Sequence, residues 1–95
     1  MLESIVGCKW SIAILLAIRG GTTRPSALQR ALPGLSAKVM NERLAKLQRF
    51  AIVERTARGT KPPFEVEYTL TPFGRRFEGL VDEVQRLQSE LDGTR

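Results

Sequence analysis

Histidine is absent from this sequence, and cysteine occurs once, as Cys8. Without imidazole the commonest general base is missing, and with it the Ser-His-Asp and Cys-His arrangements of nucleophilic catalysis. A single thiol cannot close an intrachain disulfide, nor can it supply a four-ligand zinc site. No metal and no cofactor are expected. Acids are scarce where chemistry would need them: of the 10 Asp and Glu, only Glu3, Glu42 and Glu54 precede residue 65. Glu65 and Glu67 alternate with apolar residues, the pattern of solvated strand positions, so an enzyme is not expected. Long apolar runs are missing too. The longest, Trp10 to Ile18, is nine residues, against about 20 needed to span a bilayer. The first residues carry neither a basic n-region nor a small-residue cleavage site. The expectation is a cytoplasmic protein without membrane contact.

What is present is basic charge, unevenly placed. The net charge is +5, but residues 9–61 hold 11 Lys and Arg against two Glu, a local +9, while residues 62–95 hold four Arg against seven acids, a local −3. Such segmental asymmetry is expected of a polyanion-binding face, although a solvated basic surface has the same composition. The 95 residues suit one domain, 1–95, small enough that a partner subunit would add to its stability.

Hydrophobic periodicity orders the chain. Residues 9–19 are apolar on nearly every side, which predicts a buried helix stopped by Gly20-Gly21. Thr22 and Thr23 suit a short extended segment. Pro25 fits the first position of a helix running to about Leu32, and Pro33-Gly34 ends it in a tight turn. Ser36 is a good N-cap for a helix over 36–50, with Met40, Leu44 and Leu47 on one face. Two short helices across such a turn make a helix-turn-helix candidate. The period then changes to two: Ile52–Thr56 and Val66–Leu70 read as paired strands around a polar loop, with the wing over 57–64. Thr71-Pro72 opens a last helix, 71–92, whose Phe73, Phe77, Leu80, Val84, Leu87 and Leu91 form a heptad seam. The order predicts a mainly α fold with a small β-hairpin wing: a winged helix-turn-helix dimerising through its terminal helices.

On a helical wheel Met40, Leu44 and Leu47 define the buried side of the 36–50 helix. Lys38, Glu42, Ala45 and Arg49 lie opposite, Asn41 and Lys46 flank them, and Val39 and Arg43 lie towards one edge. Asn pairs bidentately with adenine and Arg or Lys with guanine, so this face suits the major groove of double-stranded DNA. The N-terminal residues of a recognition helix reach the bases, which nominates Ser36, Lys38, Asn41 and Glu42; Ser36 serves equally well as a cap alone. Glu42 either reads a cytosine amine or pairs with Lys38 or Lys46, and internal pairing is favoured. Arg58 and Lys61 on the hairpin loop, and Arg24, Ser26, Gln29 and Arg30 on or beside the preceding helix, are candidates for phosphate contacts.

Three segments also resemble a known family, the HxlR-type winged-helix transcriptional regulators of bacteria and archaea. Val6-Gly7-Cys8-Lys9-Trp10 is similar to its Ile-Gly-Gly-Lys-Trp entry. Leu32-Pro33-Gly34-Leu35-Ser36 and the residues to Leu44 resemble its turn and recognition helix. Glu67-Tyr68-Thr69-Leu70-Thr71-Pro72-Phe73-Gly74 resembles its strand-to-helix junction. The resemblance implies a homodimeric DNA-binding regulator, often a repressor, joined through its terminal helices. Leu2, Ile5, Phe77, Leu80, Val84, Leu87 and Leu91 are then the interface candidates, with Phe73, Phe77 and Leu80 also packing on the 9–19 helix. Family members usually carry a longer segment before the entry, and some sense electrophiles or oxidants through a cysteine there. Cys8 stands instead where the family has glycine, at a helix start beside Lys9 where thiolate is favoured, so a redox role is open beside a structural one. A small apolar effector in a dimer cleft lined by Trp10, Phe73 and Phe77 is the remaining option, with a packed aromatic core favoured over it. The rival to DNA binding is a winged-helix protein-interaction module that works through its apolar last helix.

Overall fold

The computed structural model describes residue 5 and residues 8–93. Over the described residues from Cys8 to Gly93, four helices and one hairpin follow in order: α1 (Lys9–Arg19), α2 (Pro25–Ala31), α3 (Ala37–Arg49), β1 (Val53–Arg58), β2 (Glu65–Leu70) and α4 (Pro72–Gly93). Leu2 of the expected interface lies outside the described residues.

α1 sits at the centre and buries Ser11, Ile14, Leu15 and Ile18. Around it gather Leu28 of α2, Leu35 of the following turn, Met40, Leu44 and Leu47 of α3, Ile52 and Val53, Tyr68 of β2, and Phe77 and Val81 of α4. Gly34 makes the α2–α3 turn with φ 91°, a backbone conformation open to glycine, and the ring of Trp10 roofs it. The extended segment at Thr22 and Thr23 forms no strand. Thr22 N donates back to Ala17 O at 2.9 Å, and Thr23 O accepts a single bond from Tyr68 N at 2.8 Å. Two residues on, Pro25 has no N–H with which to extend a ladder.

α3 begins as expected, with Ser36 Oγ accepting from Val39 N at 3.1 Å. It ends in a tight reversal: Ala51 N donates to Gln48 O at 3.0 Å and Ile52 N to Leu47 O at 2.9 Å, with Ala51 itself at φ 60°. The hairpin is antiparallel, in register from Val53↔Leu70 to Arg58↔Glu65. Both strands are therefore longer than the sequence pattern implies. Arg58, expected on the loop, is the last residue of β1, and the loop proper is Gly59 to Phe64.

Thr71 ties the hairpin to α4. Its N donates to Ile52 O at 3.1 Å, its hydroxyl faces the carbonyls of Ala51 and Ile52, and Gly74 N donates to its Oγ1 at 2.9 Å. Gly74 lies so close to the Ile52 backbone that no side chain fits between them, and this contact sets the roll of α4. Gly74, Phe77, Glu78 and Val81 consequently face the core. The expected seam is thereby split. Phe73 and Leu80, expected against α1, are 46% and 44% exposed, whereas Phe77 and Val81 make the intrachain contact. Ile5 and Phe77, expected between subunits, are buried in the chain's own core. Leu87 and Leu91 are exposed and Val84 is half-buried.

Candidate nucleic-acid interface

Cap, turn and core face together fix which side of α3 meets solvent. With Met40, Leu44 and Leu47 buried, Ser36, Lys38, Asn41, Glu42 and Arg49 are all exposed. Val39 and Lys46 are half-buried along the margin. Ser36 caps the helix through its hydroxyl oxygen, and its O–H stays exposed as a donor. Glu42 forms no ion pair with Lys38 or Lys46 among the described residues, contrary to the favoured reading. Such exposed i,i+4 pairs stabilise by only about 0.3–0.5 kcal/mol, too little to hold two long side chains together. Its carboxylate therefore stays on the outer face beside Asn41.

The other candidates divide. Ser26 and Arg30 on α2 are exposed, and so are Arg58 and Lys61 at the far end of the hairpin. Gln29 is exposed but donates its amide to Leu35 O at 3.5 Å, which braces the turn rather than reaching outward. Arg24 is turned towards β2, where its guanidinium lies 3.7 Å from Glu65 and 3.6 Å from Glu67. These two carboxylates compete with any phosphate for it. Arg43 is half-buried, and its Nε is closed off from solvent without a partner. Its charge also acts on Cys8, so only part of the side chain is open to solvent. Phe64, at the end of the wing loop, is 47% exposed. An aromatic residue following Pro62-Pro63 in a polar loop was the signal for it, and the sequence reading passed over it.

Cys8 is half-buried as the N-cap of α1 and makes no side-chain cap hydrogen bond. Burial pushes its thiol pKa up, but the Ser11 hydroxyl and N–H, the Arg43 charge and the Trp10 N–H together outweigh that and hold it below the ordinary thiol value. The Ser11 hydroxyl is buried and has no other partner, which leaves its O–H available to the sulfur. Glu78 behaves in the opposite way. It is 5% exposed, and burial, opposed by Arg19 and reinforced by Asp82, pushes its carboxyl above the usual range. A cavity opens between α1, β2 and α4, and Trp10, Phe73 and Phe77 are not in its wall.

Among the described residues no group of His, Cys, Asp and Glu is placed to hold a metal ion, and no helix is long and apolar enough to cross a membrane.

Known proteins share both the sequence and this geometry. The HTH-type transcriptional regulator YtcD of Bacillus subtilis is 33% identical over 78 residues, which cover 82% of this chain and 61% of YtcD. The HTH-type transcriptional regulator YtfH of Escherichia coli is 39% identical over 71 residues, 75% of this chain and 56% of YtfH. The chain thus spans about three fifths of the length of these relatives. The crystal structure of diamide-treated YodB from B. subtilis superposes with a TM-score of 0.80 at 30% identity, covering 92% of this chain and 85% of YodB. These relatives are transcriptional regulators, not enzymes. Residues 5–93 match the HxlR-like helix-turn-helix family, and the chain belongs to it.

Proposed function

We propose that this protein binds operator DNA as a homodimer, with the N-terminal half of α3 in the major groove and the wing on the flanking backbone or minor groove. The observation that carries this reading is the outer face of α3, where Lys38 and Asn41 stand exposed, with no side-chain hydrogen bond or ion pair among the described residues. Asn41 is the base-reading candidate, because its amide offers a donor and an acceptor at the spacing that pairs bidentately with adenine. Arg30, Lys38, Arg49, Arg58 and Lys61 hold the phosphates. If all five reach phosphate, the slope of log K against log salt is about −4.5 per protomer. The apolar stripe of Phe73, Leu80 and Leu87 on α4 supports a second copy as the partner, and two-fold symmetry then calls for half-sites about one helical turn, or a multiple, apart. Repression follows if the operator overlaps a promoter. A DNA-bound regulator of this kind works in the cytoplasm, on the nucleoid.

Fluorescence anisotropy tests this, on a duplex from the gene's own upstream region and on a scrambled duplex, each across a salt series. Tighter binding to the native duplex by about tenfold, or 1.4 kcal/mol, with steep salt dependence on both, is expected. Asn41→Ala should erase the difference between duplexes, and Lys38→Ala should weaken both. Absence of binding to either duplex at low salt would overturn the reading and leave a protein-interaction module using the α4 stripe.

A further inference from the structure

We propose that Glu42 is a specificity-determining residue, which accepts a hydrogen bond from the exocyclic amine of cytosine and so fixes a cytosine in each operator half-site. This rests on the DNA-binding reading above and names what that face selects. Across residues 9–49, which build α1 to α3, there are eight Lys and Arg and a single acid, Glu42. A carboxylate among cations that hold phosphate repels the same phosphates, and so lowers affinity for DNA of any sequence. Its placement on the helix decides what it does in return.

Successive residues of a helix turn by about 100°, so with Met40, Leu44 and Leu47 buried Glu42 points almost directly away from the core. It is the sixth of the 13 residues of α3, in the half of a recognition helix that reaches the bases. That direction meets the floor of the groove, where base edges lie. Lys38 and Lys46, each four residues away, leave the carboxylate free: Glu42 is exposed and makes no ion pair among the described residues. Nor is it shielded from the groove, because Ala45, the exposed residue three positions on, ends in a methyl group.

The chemistry names the base. A carboxylate accepts hydrogen bonds and donates none. In the major groove guanine shows two acceptors, and thymine an acceptor and a methyl group, so neither offers it a partner. Adenine N6 donates, but N7 beside it is an acceptor that faces the second carboxylate oxygen with like charge. Cytosine N4 donates with no such neighbour on its own base. The adjacent Asn41, which both donates and accepts, is the better match for adenine. Glu42 thus exchanges general affinity for selectivity: every sequence suffers the repulsion, and only a cytosine in the right place offsets it.

The test is selection from a pool of random duplexes by the full chain, by Glu42→Gln and by Glu42→Ala. Anisotropy then follows on the enriched duplex, on its single-base variants and on a scrambled duplex. The unmodified chain should enrich a two-fold motif with one cytosine in each half whose replacement by thymine weakens binding at least about fivefold. Glu42→Gln should move the preference there to adenine, which glutamine pairs bidentately, and Glu42→Ala should accept all four bases. Both variants should bind the scrambled duplex more tightly than the unmodified chain. The same motif enriched by all three proteins, or weaker binding of scrambled DNA by both variants, would overturn the proposal and leave the DNA-binding reading standing. No motif enriched by the unmodified chain would overturn both.

Discussion

Alanine in place of Gly74 and in place of Gly79 makes the same chemical change twice on α4, with opposite expected signs. Both substitutions reduce the backbone freedom of the unfolded chain and improve helix propensity by up to about 1 kcal/mol. At Gly79 nothing lies within 4 Å of the added methyl, so that gain stands. At Gly74 the new β-carbon would lie 2.9 Å from the carbonyl carbon of Ile52 and closer still to its oxygen. Ordinary carbon contacts need about 3.5–4.0 Å, so the helix must retreat by on the order of 1 Å. Neither side can yield as a flexible side chain would, because both are backbone. Retreat also stretches the bonds from Thr71 N to Ile52 O and from Gly74 N to Thr71 Oγ1, now 3.1 and 2.9 Å. Overpacking costs about 1–3 kcal/mol and each lost hydrogen bond about 1 kcal/mol, so after the propensity gain Gly74→Ala should destabilise by roughly 2–4 kcal/mol. For a domain of this size that lowers Tm by roughly 10–25 °C, while Gly79→Ala should raise it by about 4–8 °C. Thermal melts followed by far-ultraviolet circular dichroism, at one protein concentration, measure both. A Gly74→Ala melt within about 2 °C of the unmodified protein, or two shifts of the same sign, would refute the packing argument.

Four further outcomes follow from the geometry. Ala51→Gly should stabilise by about 0.5–1 kcal/mol in urea unfolding, because Ala51 sits at φ 60° where a β-carbon is crowded; a loss of stability would contradict that. Glu78 has its carboxyl pKa raised on folding, so the folded chain holds its proton more tightly than the unfolded one. Stability from this group is complete at acid pH and is lost as pH rises through the raised value. The Tm of Glu78→Gln relative to the unmodified protein should therefore climb from pH 4 to pH 7, and a flat or falling difference would sink the reading. Iodoacetamide should alkylate Cys8 with a pH midpoint below that of a free thiol, and Arg43→Gln should move the midpoint up. Leu80→Glu with Leu87→Glu should yield a folded monomer in sedimentation analysis if the α4 stripe joins two copies, and an unchanged dimer would locate that interface elsewhere.

Local rules carried the reading element well. Pro25 at a first helical position, Ser36 as a cap and the 3.6-to-2 change after Phe50 each state one local preference, and the backbone obeys all three. Where two partners compete for one feature, sequence was silent. Six apolar residues at heptad spacing on α4 read as one seam, but a seam does not say whether it faces its own chain or another. The approach of Gly74 to Ile52, 22 residues away, decides that by rolling Phe77 inward and Phe73 and Leu80 outward. Arg24 and Arg43 look like phosphate ligands by charge alone, and only the fold brings Glu65, Glu67 and Cys8 beside them. Glu78 looks like any solvated helical acid until Arg19 and the core close over it.

The knot at Thr71 has a mechanical consequence. Ala51 and Ile52 follow the end of α3 and lead into one strand, while Thr71 to Gly74 leave the other strand and begin the long helix. The end of α3, the wing and α4 therefore meet at a single point. α4 extends about 33 Å along one arm, and the six-residue strands carry the wing tip about 20 Å along the other. A tilt of about 5° between the arms would swing the wing tip by about 1.7 Å, more than half the length of a hydrogen bond to phosphate. Whatever grips the far end of α4 thus holds the long arm of a lever whose short arm lies on the wing.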